Sequence, residues 1–525
     1  MNKKIEVLLI TLLILITLYV WSLPFQENRM PFGDVDSSTH FGLSDYMSIN
    51  NKAAYYVPYY FKARYGSLSD GKIWYPPQYH VDGAIFQLIG GERVVPFYFL
   101  IAATCCSIVF TSFFLLRKLF GFLPAYATSI MLIFSKRDIL WYLWGQYGQV
   151  VSFGLVPLVV YCWYKYLESF NNNDTKPGYL YFAAVFLAVQ YFIHPQCMAP
   201  SVFTSFFYFI FFFIKNKKLP FKLKDFAIGF TVLLILLLPV IPFTFGPDTI
   251  GAANVEGAGL YPSEFHTLFR WYGTSGKEHG QPEFYHSFKE MIGGFWVVPI
   301  FLFGIVFILL RRDNKDLLLL AMLLSLFLCM HLCIFGEAVG ARSDRLMEIE
   351  AHVIYPLAVI GLLSIPSLIK VDKNTKNILK LFLISILLTF FISTMGREAY
   401  SNLKNGYGGI LRLTPPQYEA SEWMRNNLPE NALVDHYGIL TVSKQKWVQA
   451  ASHRMLYFEG LEKGGRFDHA KDHALFDYTD LMAIGNKAEI ERLQKLEDTS
   501  MVNSTLLYNK NYIRIYFLNA SEKDE

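Results

Sequence analysis

The chain has 525 residues, of which 53% are hydrophobic, 17% aromatic and only 17% charged. Apolar runs of about 18 residues or more recur along it, which excludes a soluble protein of one or two domains and marks a polytopic membrane protein. The formal net charge of +4 is spread over short connections between apolar runs rather than gathered in a patch, so no nucleic-acid partner is implied.

The first apolar segment, 6–24, follows Lys3 and Lys4 and lacks a small-x-small cleavage site, so it reads as a retained span rather than a signal peptide. Directly behind it, the loop 25–94 carries Gly33 and then Asp34-Val35-Asp36-Ser37-Ser38-Thr39-His40. In an extended loop, carboxylates one residue apart point to the same side and can reach one hard cation, Mg or Mn, or the hydroxyls of a sugar. A solvated juxtamembrane loop has the same composition; the position behind the first span, with His40 four residues on, favours a functional use.

Hydropathy then gives further spans near 95–116, 119–135, 150–167, 179–195, 197–214, 226–245, 294–310, 317–335, 351–369 and 378–396, about eleven in all. Alternate connections are short and basic: Arg117-Lys118; Lys165 with Lys176; Lys215, Lys217, Lys218, Lys222 and Lys224; Arg311-Arg312 with Lys315; Lys370, Lys373 and Lys376. The positive-inside rule puts these and the amino terminus in the cytoplasm. Loops 25–94 and 247–293, the connections 136–149 and 336–350, and the tail then lie outside. All six cysteines, Cys105, Cys106, Cys162, Cys197, Cys329 and Cys333, fall within or beside spans, so no disulfide scaffold is indicated.

Several polar groups share that external face. Lys136-Arg137-Asp138 opposes the charge trend, and the aromatic, amide-rich stretch 141–149 behind it reads as an interfacial belt ahead of a sugar platform. His194, beside Pro195, can face a cavity as a phosphate donor or proton shuttle, or cap a helix hairpin. Glu256, Glu264, His266, His279, Glu283 and His286 in the loop 247–293 lack metal-motif spacing; a loop closing over substrate suits its length. Arg342 and Arg345, three residues apart, form a fork suited to a lipid-linked phosphate, with pairing to Asp344 and Glu348 as the alternative. No nucleotide-binding motif occurs in a plausible context.

The tail begins with Thr414-Pro415-Pro416, a cap and first turn for a helix over 414–427, and continues through apolar runs at 432–434 and 512–517 that read as strands. The fold class is therefore mainly α: a transmembrane domain over 1–396 and an external α/β domain over 397–525.

Asp34-x-Asp36-x3-His40 after a first span resembles the first-loop motif of the GT-C membrane glycosyltransferases, notably oligosaccharyltransferase catalytic subunits and protein O-mannosyltransferases. The stretch from Thr414 through Tyr418, Ala420, Trp423, Asn427 and Pro429 to Ala432 is similar to the opening of the oligosaccharyltransferase external domain. Val434-Asp435-His436-Tyr437-Gly438 departs from the Trp-Trp-Asp-Tyr-Gly that reads an acceptor sequon there. Uncharacterised prokaryotic membrane proteins related to 6-pyruvoyl-tetrahydropterin synthase share a similar plan, without implying pterin chemistry. The resemblance implies sugar transfer from a polyprenyl-phosphate donor to a glycan, lipid or protein acceptor. Asp34 or Asp36 would act as base or metal ligand, and His40, Arg137, His194, Arg342, Arg345 and Glu348 as substrate-binding groups. The alternatives are a secondary transporter or flippase of a lipid-linked saccharide, and an inactive assembly component.

Overall fold

A computed structural model describes residues 3–26, 29–54, 58–61, 77–171, 174–217, 219–240, 292–294, 296–330, 347–405, 413–457 and 471–518. Numbered along these residues, the helices before the first long undescribed segment are α1 Lys3–Gln26, α2 Val35–Asn50, α3 Gln78–Gly90, α4 Val95–Cys105, α5 Ser107–Phe120, α6 Phe122–Ile133, α7 Lys136–Leu143, α8 Tyr147–Phe153, α9 Val156–Asn171, α10 Gly178–Ile193, α11 Met198–Asn216 and α12 Leu223–Leu237. After it come α13 Val297–Arg311, α14 Asn314–Met330, α15 Glu350–Ser364, α16 Lys373–Phe391 and α17 Arg397–Asn405, the last two joined through a π-helical turn at Ile392–Gly396.

Each apolar segment read from hydropathy falls on a helix or a joined pair over its described residues. Among the described residues, six helices are long and apolar enough to cross a membrane: Lys3–Gln26, Val95–Phe120, Tyr147–Phe170, Pro195–Asn216, Glu350–Leu368 and Lys373–Asn405. The protein is thus an integral membrane protein with a helical bundle. At its centre lies α15, buried on nearly every face, as an all-round apolar helix must be. It crosses α13 backbone to backbone: a methyl group at Gly304 would fall 2.0 Å from the Leu357 carbonyl, and one at Gly361 only 2.7 Å from Gly304. Small residues allow such close crossings where dispersion, not water exclusion, holds helices together.

The carboxy-terminal unit contains α18 Pro415–Asn427, β1 Leu433–Tyr437, α19 Val442–Ser452, β2 Met455–Leu456, β3 His473–Asp477, α20 Thr479–Ile484, α21 Lys487–Ser500, β4 Thr505–Lys510 and β5 Ile513–Phe517. Thr414 opens α18 with a capping box completed by Gln417, and Pro415 occupies the first turn where no backbone donor is needed. The sheet order is β2-β1-β3-β5-β4, with β1 parallel to β2 and β3, and β5 antiparallel to β3 and β4. The apolar runs at 432–434 and 512–517 lie on β1 and β5. Between them stands β3, buried at all five positions.

Candidate functional site

The acidic motif sits where α2 begins. Asp34 precedes the helix and Asp36 lies in its first turn, where a carboxylate complements the positive end of the helix dipole. The extended backbone expected for Asp34-Val35-Asp36 is thereby corrected: Val35 and Asp36 are already helical. In a helix it is the spacing of four that shares a face, so Asp36 aligns with His40.

This turn is seated on the junction between α7 and α8. The Asp34 amide donates to the Leu143 carbonyl at 3.0 Å, and the Ser37 amide closes the turn onto the Asp34 carbonyl at 2.9 Å. From α8, the Tyr147 hydroxyl donates to Ser37 Oγ at 2.9 Å, and the Gln146 side-chain amide donates to the Asp36 carboxylate. Two glycines make the approach possible. Gly33 (φ +108°) and Gly145 (φ +85°) have backbones that favour glycine, and a methyl group on either would fall within 2.1 Å of Ser37.

His40 is buried against α3, its Nδ1 2.9 Å from Nε2 of His80 and the two rings stacked with centroids 5.0 Å apart. One proton is shared across that contact, so one imidazole must accept. Burial, and next the neighbouring His40, lowers His80 well below the ordinary histidine value.

Farther along α8, the Gln149 side chain donates to Glu348 Oε2 at 2.8 Å. Glu348 is fully buried in the 3-10 turn Met347–Ile349 that leads into α15; burial, and after it the charge of Asp138, pushes its carboxyl well up. Ser152 Oγ reaches the carbonyls of Gln190 at 3.1 Å and His194 at 3.5 Å. His194 itself ends α10, with its amide on the Gln190 carbonyl at 2.8 Å and its Nδ1 3.5 Å from Cys197 Sγ. From Gln146 to Ser152 the helix rises about 9 Å, so Asp36, Glu348 and His194 are strung along one short helix.

Arg137 points into the bundle and pairs with Glu350, Nε to Oε1 at 2.5 Å and Nη2 to Oε2 at 3.3 Å, both side chains almost wholly buried. Its neighbour Asp138 meets His352 Nε2 at 3.0 Å, and His352 Nδ1 lies 2.9 Å from Ser112 Oγ. These links tie α7 to the start of α15. The interfacial belt expected over 141–149 is also corrected: Trp141, Tyr142, Gln146, Tyr147 and Gln149 are buried in the protein. Arg342, Arg345 and the loop 247–293 up to residue 291 lie outside the described residues. Among those that are described, no group of three or more His, Cys, Asp or Glu gathers to hold a metal. His80 gave no sequence signal. Gln146 and Gln149 belonged to a stretch whose composition was visible but whose orientation was not.

Solved structures share this architecture. The Archaeoglobus fulgidus oligosaccharyltransferase tethered with an acceptor peptide containing the NVT sequon matches with a TM-score of 0.57 at 15% identity, covering 91% of this chain and 69% of that one; it was also solved with Zn and sulfate. ArnT from Cupriavidus metallidurans bound to undecaprenyl phosphate matches with a TM-score of 0.57 at 12% identity, covering 98% of both chains. The arabinofuranosyltransferase AftD from Mycobacteria matches with a TM-score of 0.55 at 11% identity, covering all of this chain and 40% of that one. No family model matches the sequence, and comparison with curated proteins gives no match. The chain has the GT-C fold.

Proposed function

We propose that this chain is a glycosyltransferase that moves a sugar from a polyprenyl-phosphate carrier to an acceptor on the extracytoplasmic face of a prokaryotic cytoplasmic membrane. The observation that carries the reading is the acidic turn at the head of α2, seated on α8 within a GT-C fold. The solved structures of that fold contain undecaprenyl phosphate in one case and an acceptor peptide in another, which supports a lipid-phosphate donor.

In this mechanism the Asp36 carboxylate, oriented by Gln146, accepts the proton of the acceptor hydroxyl. The freed oxygen attacks the anomeric carbon, and the bond from that carbon to the carrier phosphate breaks, leaving the electron pair on phosphate. Asp34, held by its amide on Leu143, stands beside it as the second carboxylate. His40 lines the same face of α2, while His194 and Glu348 sit farther along α8. Arg342 and Arg345 would neutralise the leaving group. Arg137, paired with Glu350, contributes by fixing the turn that carries Glu348 rather than by touching phosphate.

A divalent cation, Mg or Mn, would take a hard oxygen from Asp36 and fill its other positions with water and phosphate; with Val35 helical, Asp34 does not share that side of the turn. When bound, such an ion would draw charge from the leaving phosphate. The transporter reading gains no support, since the buried Arg137 and Glu350 satisfy one another.

The test is transfer by the purified protein in vesicles containing a panel of polyprenyl-phosphate sugars. Asp36→Asn is expected to lower the rate at least a hundredfold with an unchanged melting temperature. Transfer at the wild-type rate by that variant removes Asp36 from the chemistry.

A further inference from the structure

We infer that Trp447, in the carboxy-terminal unit, is a positioning residue for the acidic turn, so that the transfer site is assembled only when this unit is docked along α2. The inference rests on the transferase reading for its consequence, though not for its geometry.

Trp447 lies in α19 and is fully buried. Its indole Nε1–H donates to the Gly33 carbonyl at 2.7 Å, across 414 residues of sequence. That carbonyl immediately precedes Asp34, whose own amide is fixed on Leu143. The peptide ahead of the first carboxylate is therefore held from both sides, by α19 and by the α7–α8 junction. A buried carbonyl that loses its donor must either find water or move, and movement here displaces Asp34.

The indole is placed by a contact that runs the length of α2. The Trp447 ring lies 5.8 Å from that of Phe41. At the next residue, Gly42 lets α19 come close: a methyl group there would fall 2.6 Å from the Phe61 ring and 3.1 Å from the Ala450 methyl. Three residues later, Asp45 Oδ2 lies 2.7 Å from Nε2 of His453, the residue that ends α19, and Asp45 also receives a two-pronged contact from Arg93. Gly42 to Asp45 and Ala450 to His453 advance in step, so the two helices run parallel in a fixed register. Arg93 also reaches the Ala451 carbonyl at 2.9 Å and Glu422 at 3.4 Å. Burial would raise Asp45, yet Arg93 and His453 outweigh it and hold the carboxyl down at about 2. The far end of α2 is thereby pinned by charge and the near end by the indole.

The experiment uses the full chain in vesicles and two variants. Trp447→Phe keeps an aromatic ring and removes the N–H. Trp423→Phe removes a tryptophan of the same unit that packs on Tyr508. The inference expects Trp447→Phe to lower kcat about tenfold with the donor KM unchanged, and to speed amide hydrogen exchange over residues 33–37 at least tenfold. Trp423→Phe should leave both at the wild-type level. Wild-type exchange over 33–37 in Trp447→Phe overturns the inference, as does equal slowing by both variants. A Trp447→Phe chain that no longer folds assigns the indole to the core and overturns it as well. The exchange measurement requires no turnover; should the wild-type chain transfer no sugar, the reading of function fails while the positioning contact is still decided.

Discussion

Asp36 and His40 show how strongly the backbone state governs what a spacing means. Two carboxylates one residue apart share a side only on extended backbone; once Val35 is helical, the partner of Asp36 along the chain is His40. Behind His40, His80 can remain buried only as a neutral ring. Its protonation, ordinarily near 6.5, is shifted well below that value, so the unfolded chain binds more protons than the folded one as the pH falls below 6.5. Stability supplied by the neutral pair is complete above that pH and is lost on acidification, by up to about 1.4 kcal/mol per pH unit for one proton. Replacing His80 by Gln should flatten that part of the acid limb in thermal denaturation followed from pH 7 to pH 5; an unchanged slope would place the titration elsewhere. The Arg137–Glu350 pair makes a second prediction. Arg137→Met leaves a buried carboxylate without its cation and should cost about 3–5 kcal/mol, whereas Arg137→Met combined with Glu350→Leu should cost less than either single change.

Among the elements, α8 has only seven residues, yet the acidic turn, the 3-10 turn before α15 and the end of α10 all bond to it or to its cap. Its approach to α2 depends on Gly145. Gly121, at φ +90°, has the same backbone preference with nothing within 4 Å of a built methyl group. Gly121→Ala should therefore cost only backbone strain, about 1–3 kcal/mol, while Gly145→Ala adds a collision with the Ser37 backbone. A larger loss of melting temperature and of transfer rate in Gly145→Ala than in Gly121→Ala is expected; equal effects would mean the two segments can separate without harm.

For the whole molecule, the sidedness expected from the basic connections is open to direct measurement. Arg492 on α21 has a side chain 64% exposed, and the five described cysteines are buried. In the Arg492→Cys protein, a membrane-impermeant maleimide should label the new thiol in intact cells; labelling only after permeabilisation would reverse the topology and move the site to the cytoplasm. The apolar helices, the cap at Thr414 and the runs on β1 and β5 were legible because hydropathy, capping chemistry and apolar runs are properties of neighbouring residues. The partners of the acidic turn were not. Gln146 lies 110 residues from Asp36 and Trp447 lies 414 from Gly33, and no local pattern records which loops a bundle brings together. The burial of Arg137 and of the stretch 141–149 was hidden for the same reason, since composition announces polarity and aromatic content without saying which way a helix faces. The sequence by itself determined a membrane chain with an acidic motif behind its first span and an α/β tail. Tertiary packing alone decided that α8 and the tail hold that turn, because those contacts exist only once distant segments are close-packed.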